Sequence, residues 1–340
     1  MRPVLALVLT LTGCWKADPV ALSADVIPYL PAAGTDAPGS LYRLTLPLQC
    51  PDGRDALAYA IVPDSASGPT RAALLLHSGA FDYVRDPLAA DPLYGAHLHT
   101  PSRMDRDWAV RQAFATLGMY DAMVPAEDQT GAMAAALVDA GIAVLAPINC
   151  WGDMWHNDQD AANDVAVEHL DREGRAAAAL SWRLLSEPGF AATQGISLPF
   201  QADTAHLYAL GLGSGGQGVA ELLHAGYTPA AILVDSYPDD LSPWWGTPEL
   251  FAPIATGLDR LYPEGDSGVF SLSAAATIPP TWYLYSSQDD LLPSGAHTNA
   301  IAVLGPRQDA VVQDLELRAH VLTGSDPELA AEITAWLRSW

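Results

Sequence analysis

The feature that most constrains this chain is an apolar run that enters a glycine-rich turn and continues into a helical pattern. Residues 206–223 read His-Leu-Tyr-Ala-Leu-Gly-Leu-Gly-Ser-Gly-Gly-Gln-Gly-Val-Ala-Glu-Leu-Leu. The apolar run predicts a strand buried on both faces, and the residues after the turn predict a helix. Glycine at four of the six positions 211–216 indicates that strand and helix approach too closely for larger side chains. We therefore expect a sharp chain reversal there.

A sharp turn of this kind can present a nucleophile, and then small residues stand two positions before and two after it, as in G-x-S-x-G. In a first frame, Ser214 is the nucleophile and the small positions fall on Leu212 and Gly216. Gly216 satisfies the pattern, whereas leucine does not.

In a second frame, Gly211 and Gly215 take the small positions, and the slot of the nucleophile holds Gly213. Both steric requirements are then met, and glycine in the slot avoids roughly 1–3 kcal/mol of backbone strain. The nucleophile itself is missing in this frame. The sequence favours the second frame and leaves the first open.

Strands and helices alternate along most of the chain, which predicts a mainly parallel sheet with helices on both faces. Short apolar or alternating runs predict eight strands, and amphipathic segments predict the helices. The predicted strands are 41–48, 57–62, 72–76, 142–147, 207–212, 231–234, 281–285 and 315–318, and the predicted helices are 131–140, 172–185, 218–224, 296–303 and 327–337.

Two insertions rich in proline, aspartate and aromatic residues interrupt this pattern, at about 81–130 and 236–280. Each follows a predicted strand, and loops that leave the carboxyl ends of parallel strands commonly build binding sites. We expect these insertions to form lids or pocket walls. The alternative is that they only cover the surface.

Two further residues follow predicted strands in an informative order. Asp289 lies in Ser-Ser-Gln-Asp-Asp-Leu-Leu-Pro, directly after the strand at 281–285, and His320 precedes the last helix. With the glycine turn, this order of nucleophile, acid and base resembles the α/β-hydrolase superfamily of serine esterases, lipases and peptidases. The resemblance covers about 41–340 and implies the α/β-hydrolase fold. It also implies that His320 is the general base and that Asp289 orients it.

His77-Ser78-Gly79, after the third predicted strand, resembles the oxyanion segment of that superfamily. The resemblance implies that backbone N–H groups near Gly79 and Gly215 would stabilise a tetrahedral oxyanion. In the first frame, Ser214 then attacks carboxylic esters or related acyl bonds. In the second frame the protein is an inactive, hydrolase-fold binding protein. Neither hypothesis calls for a cofactor.

The N-terminus predicts export. Residues 1–13 combine one arginine, a short apolar run and small residues, which is typical of a signal peptide. Leu11-Thr12-Gly13-Cys14 resembles the bacterial lipobox, which implies a lipid on Cys14 and attachment to the cell envelope. Trp15 rather than aspartate follows Cys14, and the resemblance to Gram-negative lipoproteins then implies the outer membrane if the source is Gram-negative. Residues 14–40 predict a tether, and 41–340 the hydrolase domain.

Export permits a disulfide, and Cys50 and Cys150 remain once Cys14 carries a lipid. In the fold that the resemblance implies, both lie at the same edge of neighbouring antiparallel strands. We predict that they are bonded.

The charge of the chain limits its partners. A formal net charge of -24 argues against nucleic acid and anionic membrane surfaces. The expected partner is a small-molecule ester or acyl substrate, and the membrane is reached only through the lipid anchor. A cluster after the fourth strand mixes carboxylates with imidazole but matches no metal motif, so no metal site is predicted. Its members are Asp153, His156, Asp158, Asp160 and Asp164.

Overall fold

A computed structural model describes residues 27–28, 39–49, 55–76, 132–148, 178–213, 215–237, 239, 271–289, 295–316, 323 and 326–340. The strands are β1 (Ile27–Pro28), β2 (Gly39–Gln49), β3 (Asp55–Pro63), β4 (Pro69–Leu76), β5 (Ala143–Ile148), β6 (Gln201–Leu212), β7 (Ala231–Asp235), β8 (Thr281–Tyr285) and β9 (Ala310–Asp314). The helices are α1 (Ala132–Asp139), α2 (helical residues 178–186), α3 (Phe190–Thr193), α4 (Gly215–His224), α5 (Thr298–Leu304) and α6 (Pro327–Leu337).

The strands form one sheet in the order β1-β2-β3-β5-β4-β6-β7-β8-β9. The pairs from β5 through β4, β6, β7 and β8 to β9 are parallel, whereas β1, β2 and β3 add an antiparallel flank. The predicted mainly parallel sheet is therefore confirmed. In the described part of the chain the sheet has nine strands, one more than predicted, because the two-residue β1 pairs with β2 at the edge of the sheet.

Both faces of the sheet are buried, which explains the continuous apolar runs in its central strands. Along β4, Leu74 belongs to one apolar cluster and Leu75 to another on the opposite face, because successive side chains alternate. Helices α2, α4 and α5 contribute to the first cluster, and α1 and α6 to the second. Because β5, β4, β6, β7, β8 and β9 run parallel, their carboxyl ends lie at one edge of the sheet.

Some boundaries differ from the sequence predictions. The last strand of the described residues lies at Ala310–Asp314, and Leu315 and Glu316, the first two residues of the predicted strand at 315–318, lie outside it. Strand β6 begins at Gln201, six residues before its predicted start, because its polar first half pairs with the start of β4. Within the segment predicted to be a tether, Ile27–Pro28 pair with Ser40 and Leu41 of β2.

The ends of the second predicted insertion meet in the structure. The carboxylate of buried Asp239 accepts hydrogen bonds from Ser273 N–H at 2.9 Å and from Ser271 Oγ at 3.2 Å. Between 236 and 280, the described residues are 236–237, 239 and 271–280, and the insertion at 81–130 lies outside the described residues. The prediction that both form lids or pocket walls stays a prediction.

Other predictions from the sequence also fall outside the described residues. Cys14, Cys50 and Cys150 lie there, as do the signal peptide and the acidic cluster at 153–164. Strands β3 and β5 are antiparallel neighbours, as the predicted disulfide requires, with Leu57 opposite Ile148. The bond itself stays a prediction. Of the helices in the described ranges, none has the length and apolar character needed to cross a membrane.

Candidate functional site

The turn between β6, which ends at Leu212, and α4, which begins at Gly215, is short. Gly213 has a φ of 53°, in the left-handed region that residues with a side chain rarely adopt. Its N–H donates to the Asp235 carbonyl at 2.7 Å, and its own carbonyl accepts from Gly216 N–H at 3.0 Å. The sharp reversal predicted from the sequence is therefore present, and position 213 carries its unusual conformation.

The closest approach of strand and helix falls on Gly211. A methyl group added there would lie 2.6 Å from both the Gly215 carbonyl oxygen and the Gly216 Cα. Contacts this short with backbone atoms leave no room for any side chain at position 211. Leu212, by contrast, has its side chain fully buried in the apolar core. The crowding has the spacing expected of the second frame, in which Gly213 occupies the slot.

The neighbouring strand supports this turn. Tyr237, just past β7, packs against α4 so closely that a methyl added at Gly216 would lie 2.3 Å from its Cβ. The Tyr283 hydroxyl, on β8, donates to the Tyr237 carbonyl at 2.8 Å. Burial raises the pKa of the Tyr283 phenol well above its ordinary value, so it keeps the proton it donates. The Nδ1 atom of His297, 2.7 Å from the same hydroxyl, is then the donor in their contact.

The predicted acid lies in a short turn after β8. Asp289 is half-buried, and its N–H donates to the Ser286 carbonyl at 3.3 Å. The Oγ of buried Ser286 accepts from Gln288 N–H at 3.1 Å. The turn thus places Asp289 at the carboxyl edge of the sheet, two strands away from β6, which Gly213 follows.

Asp314, at the end of β9, ties this acid turn to the segment that leads towards His320. One of its carboxylate oxygens accepts from Ser287 N–H and from Glu316 N–H, both at 2.9 Å. Desolvation acts to raise the pKa of the Asp314 carboxyl, but these backbone donors outweigh it and hold that pKa below its ordinary value. Glu316 itself has a φ of 52°, so the chain turns sharply as it leaves the strand.

The lowered pKa of Asp314 predicts a pH-dependent contribution to stability. Because the folded-state pKa lies below the unfolded value of about 3.9, the contribution is complete above that pH and disappears as pH falls through the folded pKa. Urea unfolding should therefore show Asp314→Asn lowering the free energy of unfolding more at pH 6 than at pH 3. Glu332→Gln, at an exposed position of α6, serves as the control. An equal effect of Asp314→Asn at both pH values would contradict this account.

Asp235 is a functional candidate that the sequence reasoning missed. It ends β7, is fully buried, and its carboxylate accepts from Thr323 N–H at 2.8 Å and from Thr323 Oγ at 2.7 Å. Its other oxygen accepts from Ser236 Oγ at 2.8 Å. The available signal was an acidic residue that closes an all-apolar strand and precedes a long insertion.

The sheet brings several of these groups to one edge. The turns after β6, β7, β8 and β9 all leave carboxyl ends of parallel neighbours, where binding sites of such sheets form. Gly215 is buried and is the first residue of α4, where helix N–H groups lack partners within the helix. Ser214, His320 and Gly79 lie outside the described residues. In the described part of the chain, no three His, Cys, Asp or Glu side chains form a metal-binding group.

Comparison with known proteins identifies the fold. No family model and no curated protein matches the sequence. Among solved structures, a candidate dipeptidyl aminopeptidase IV from Bacteroides ovatus is 12% identical and has a TM-score of 0.53, with 88% of this chain and 36% of that chain covered. The AtxE2 isopeptidase is 15% identical and has a TM-score of 0.52, with 89% and 40% covered.

This chain thus spans well under half the length of these two structures. At such low identity the likeness concerns the fold and not the activity. Both of these structures have the α/β-hydrolase architecture. Strand order, parallel pairing and the turn after β6 agree with that architecture. The chain therefore has the α/β-hydrolase fold, as its sequence predicted.

Proposed function

We propose that this protein is a hydrolase-fold binding protein in which Gly213 occupies the position of the nucleophile. The observation that carries the proposal is the left-handed φ of Gly213, together with the crowding of Gly211 against the start of α4. The residue that must tolerate a strained backbone is the one that presents the nucleophile. In this chain that residue has no side chain.

Without a side-chain oxygen at position 213, the protein cannot form an acyl-enzyme there, although its other predicted catalytic groups remain. Acyl transfer through the enzyme needs a side-chain oxygen that attacks the carbonyl carbon, and Gly213 supplies none. His320 and Asp289 would remain as a base and its orienting carboxylate, able at most to activate water. Loss of a nucleophile typically costs on the order of a million-fold in turnover. We therefore assign the site to binding a small ester or acyl compound rather than to its rapid hydrolysis.

A second candidate function is hydrolysis of carboxylic esters with Ser214 as the nucleophile. It is favoured by the acid turn, since Asp289 is held half-buried at the same sheet edge as the glycine turn. In this alternative, His320 takes the proton of Ser214, and N–H groups near Gly79 and Gly215 stabilise the oxyanion.

Turnover and binding of p-nitrophenyl butyrate separate the two functions. We expect the wild-type protein to bind this ester, seen as saturable quenching of tryptophan fluorescence, without a rapid release of nitrophenolate. Ser214→Ala and His320→Ala should leave the quenching intact. A burst of about one nitrophenolate per chain that disappears in Ser214→Ala would establish the second function instead. Absence of saturable quenching would remove the binding function.

For the location of the protein, we propose export followed by attachment to the cell envelope through a lipid on Cys14. The support is the order of charge, apolar run and Leu-Thr-Gly-Cys at the start of the sequence. Cys14→Ala is expected to release the protein from the membrane fraction. Retention of that variant in the membrane fraction would contradict the proposal.

A further inference from the structure

Asp235 contacts two parts of the site at once. Its backbone carbonyl accepts the Gly213 N–H at 2.7 Å, and therefore touches the residue with the left-handed φ. Its carboxylate accepts both the N–H and the hydroxyl of Thr323, at 2.8 and 2.7 Å. Thr323 follows His320 by three residues. One buried residue thus connects the turn after β6 to the end of the segment that carries the predicted base.

Burying the carboxylate of Asp235 costs desolvation free energy. A buried carboxylate is tolerated only when hydrogen bonds replace its hydration, and an apolar side chain would fill the same space at lower cost. Thr323, 88 positions along the chain, donates two hydrogen bonds to this carboxylate, and Ser236 Oγ donates another. Hydrogen bonds to a charged acceptor are roughly twice as strong as neutral ones. The charge of Asp235 therefore strengthens its two hydrogen bonds to Thr323.

The opposite end of the same segment is also fixed. Glu316 donates its N–H to Asp314, which also accepts from Ser287 in the acid turn. The residue before segment 317–322, Glu316, binds the carboxylate of Asp314, which also binds the acid turn. The residue after the segment, Thr323, binds the carboxylate of Asp235, whose backbone carbonyl accepts the Gly213 N–H. Each of the two anchors joins the base-carrying segment to one of the other two parts of the site.

We propose that Asp235 is a positioning residue that holds the end of the His320 segment against position 213. It acts through its hydrogen bonds to Thr323. The proposal rests on the proposed function, because it takes position 213 as the position of the nucleophile on which His320 would act. Its consequence is that the orientation of the His320 imidazole depends on the charge of Asp235 and on the hydroxyl of Thr323.

The test uses two readouts on the full chain. The first is the imidazole NMR signals of His320 in the protein that retains Gly213, assigned by their loss in His320→Gln. The second is the rate at which a Gly213→Ser background reacts with a fluorophosphonate. We expect Asp235→Asn and Thr323→Val to move the His320 signals and to slow the reaction about ten- to hundred-fold, as misplacement of a reacting group does. Thr323→Ser, which keeps both donors, should behave like the parent.

Thr281→Val is the matched control for Thr323→Val. Thr281 is fully buried, and its Oγ1 donates a hydrogen bond of the same length, 2.7 Å, to the Pro279 carbonyl. It lies at the start of β8, whereas the acid turn follows the other end of that strand. The control should lower stability similarly and leave both readouts unchanged. The positioning role would be overturned if Asp235→Asn and Thr323→Val matched the parent in both readouts. It would also be overturned if Thr281→Val changed the His320 signals and the reaction rate as much as Thr323→Val does.

The two proposals fail in different ways. A Gly213→Ser protein that never reacts would refute the slot at position 213, and the His320 signals would then still decide the role of Asp235. A Gly213→Ser protein that reacts equally fast with and without Asp235→Asn, with unchanged His320 signals, would keep the slot and refute the positioning role.

Discussion

Gly213→Ser is expected to convert the protein into one that reacts covalently with a fluorophosphonate. The substitution places a hydroxyl at the residue whose left-handed φ marks the position of the nucleophile. Loss of a nucleophile costs on the order of a million-fold in turnover, so even partial restoration should raise the labelling rate at least about 100-fold. Intact-mass spectrometry over a time course measures this rate.

The same substitution should lower stability. A side chain at φ 53° costs roughly 1–3 kcal/mol, measurable by urea unfolding. Gly213→Ala is the matched control, because it carries the same backbone strain without a hydroxyl. It should lose the same stability and remain unlabelled. Equal labelling of the serine and alanine variants, or no labelling of either, would contradict the assignment of the slot.

Gly211→Ala is expected to lower the stability of the protein strongly. The new Cβ would lie 2.6 Å from backbone atoms of Gly215 and Gly216, so strand and helix must move apart. Gly211 is absent from the positive-φ residues of the described chain, so the effect is steric rather than conformational. We expect a loss of about 3 kcal/mol in the free energy of unfolding, near the upper end for overpacked cores.

Gly218→Ala provides the comparison for this prediction. A methyl there would also lie 2.6 Å from its nearest neighbour, but that neighbour is the end of the flexible Leu76 side chain. Alanine additionally favours the helix over glycine by about 1 kcal/mol. The variant should therefore be close to wild type in stability. If Gly211→Ala were equally harmless, the tight crossing would not lie at position 211 and the first frame would regain support.

Elements with strong apolar contrast were predictable from the sequence. Strand β8 and helix α6 have the predicted bounds, because the strand is an apolar run and the helix has a proline in its first turn and a capping aspartate. The fold class followed from the alternation of such apolar strands and amphipathic helices along the chain. Strand β9 was misplaced by several residues because, as an edge strand, all of its residues are only half-buried.

Contacts between distant segments were not predictable. The polar start of β6 is a strand only because it pairs with β4, through a register shift after Thr70. The role of Asp235 depends on Thr323, 88 residues away, which no local pattern reveals. The two frames of the glycine turn differ by one residue, and the spacing of the small residues favoured the second frame. The backbone conformation of Gly213 and the crowding at Gly211 add a physical argument for the same frame.

The most direct test of the central claim is to map the residues of the wild-type protein that react with a fluorophosphonate, by digestion and mass spectrometry. With Gly213 in the position of the nucleophile, Ser214 should carry no adduct after prolonged exposure. An adduct on Ser214 that disappears in His320→Ala would contradict the account and establish Ser214 as an active nucleophile.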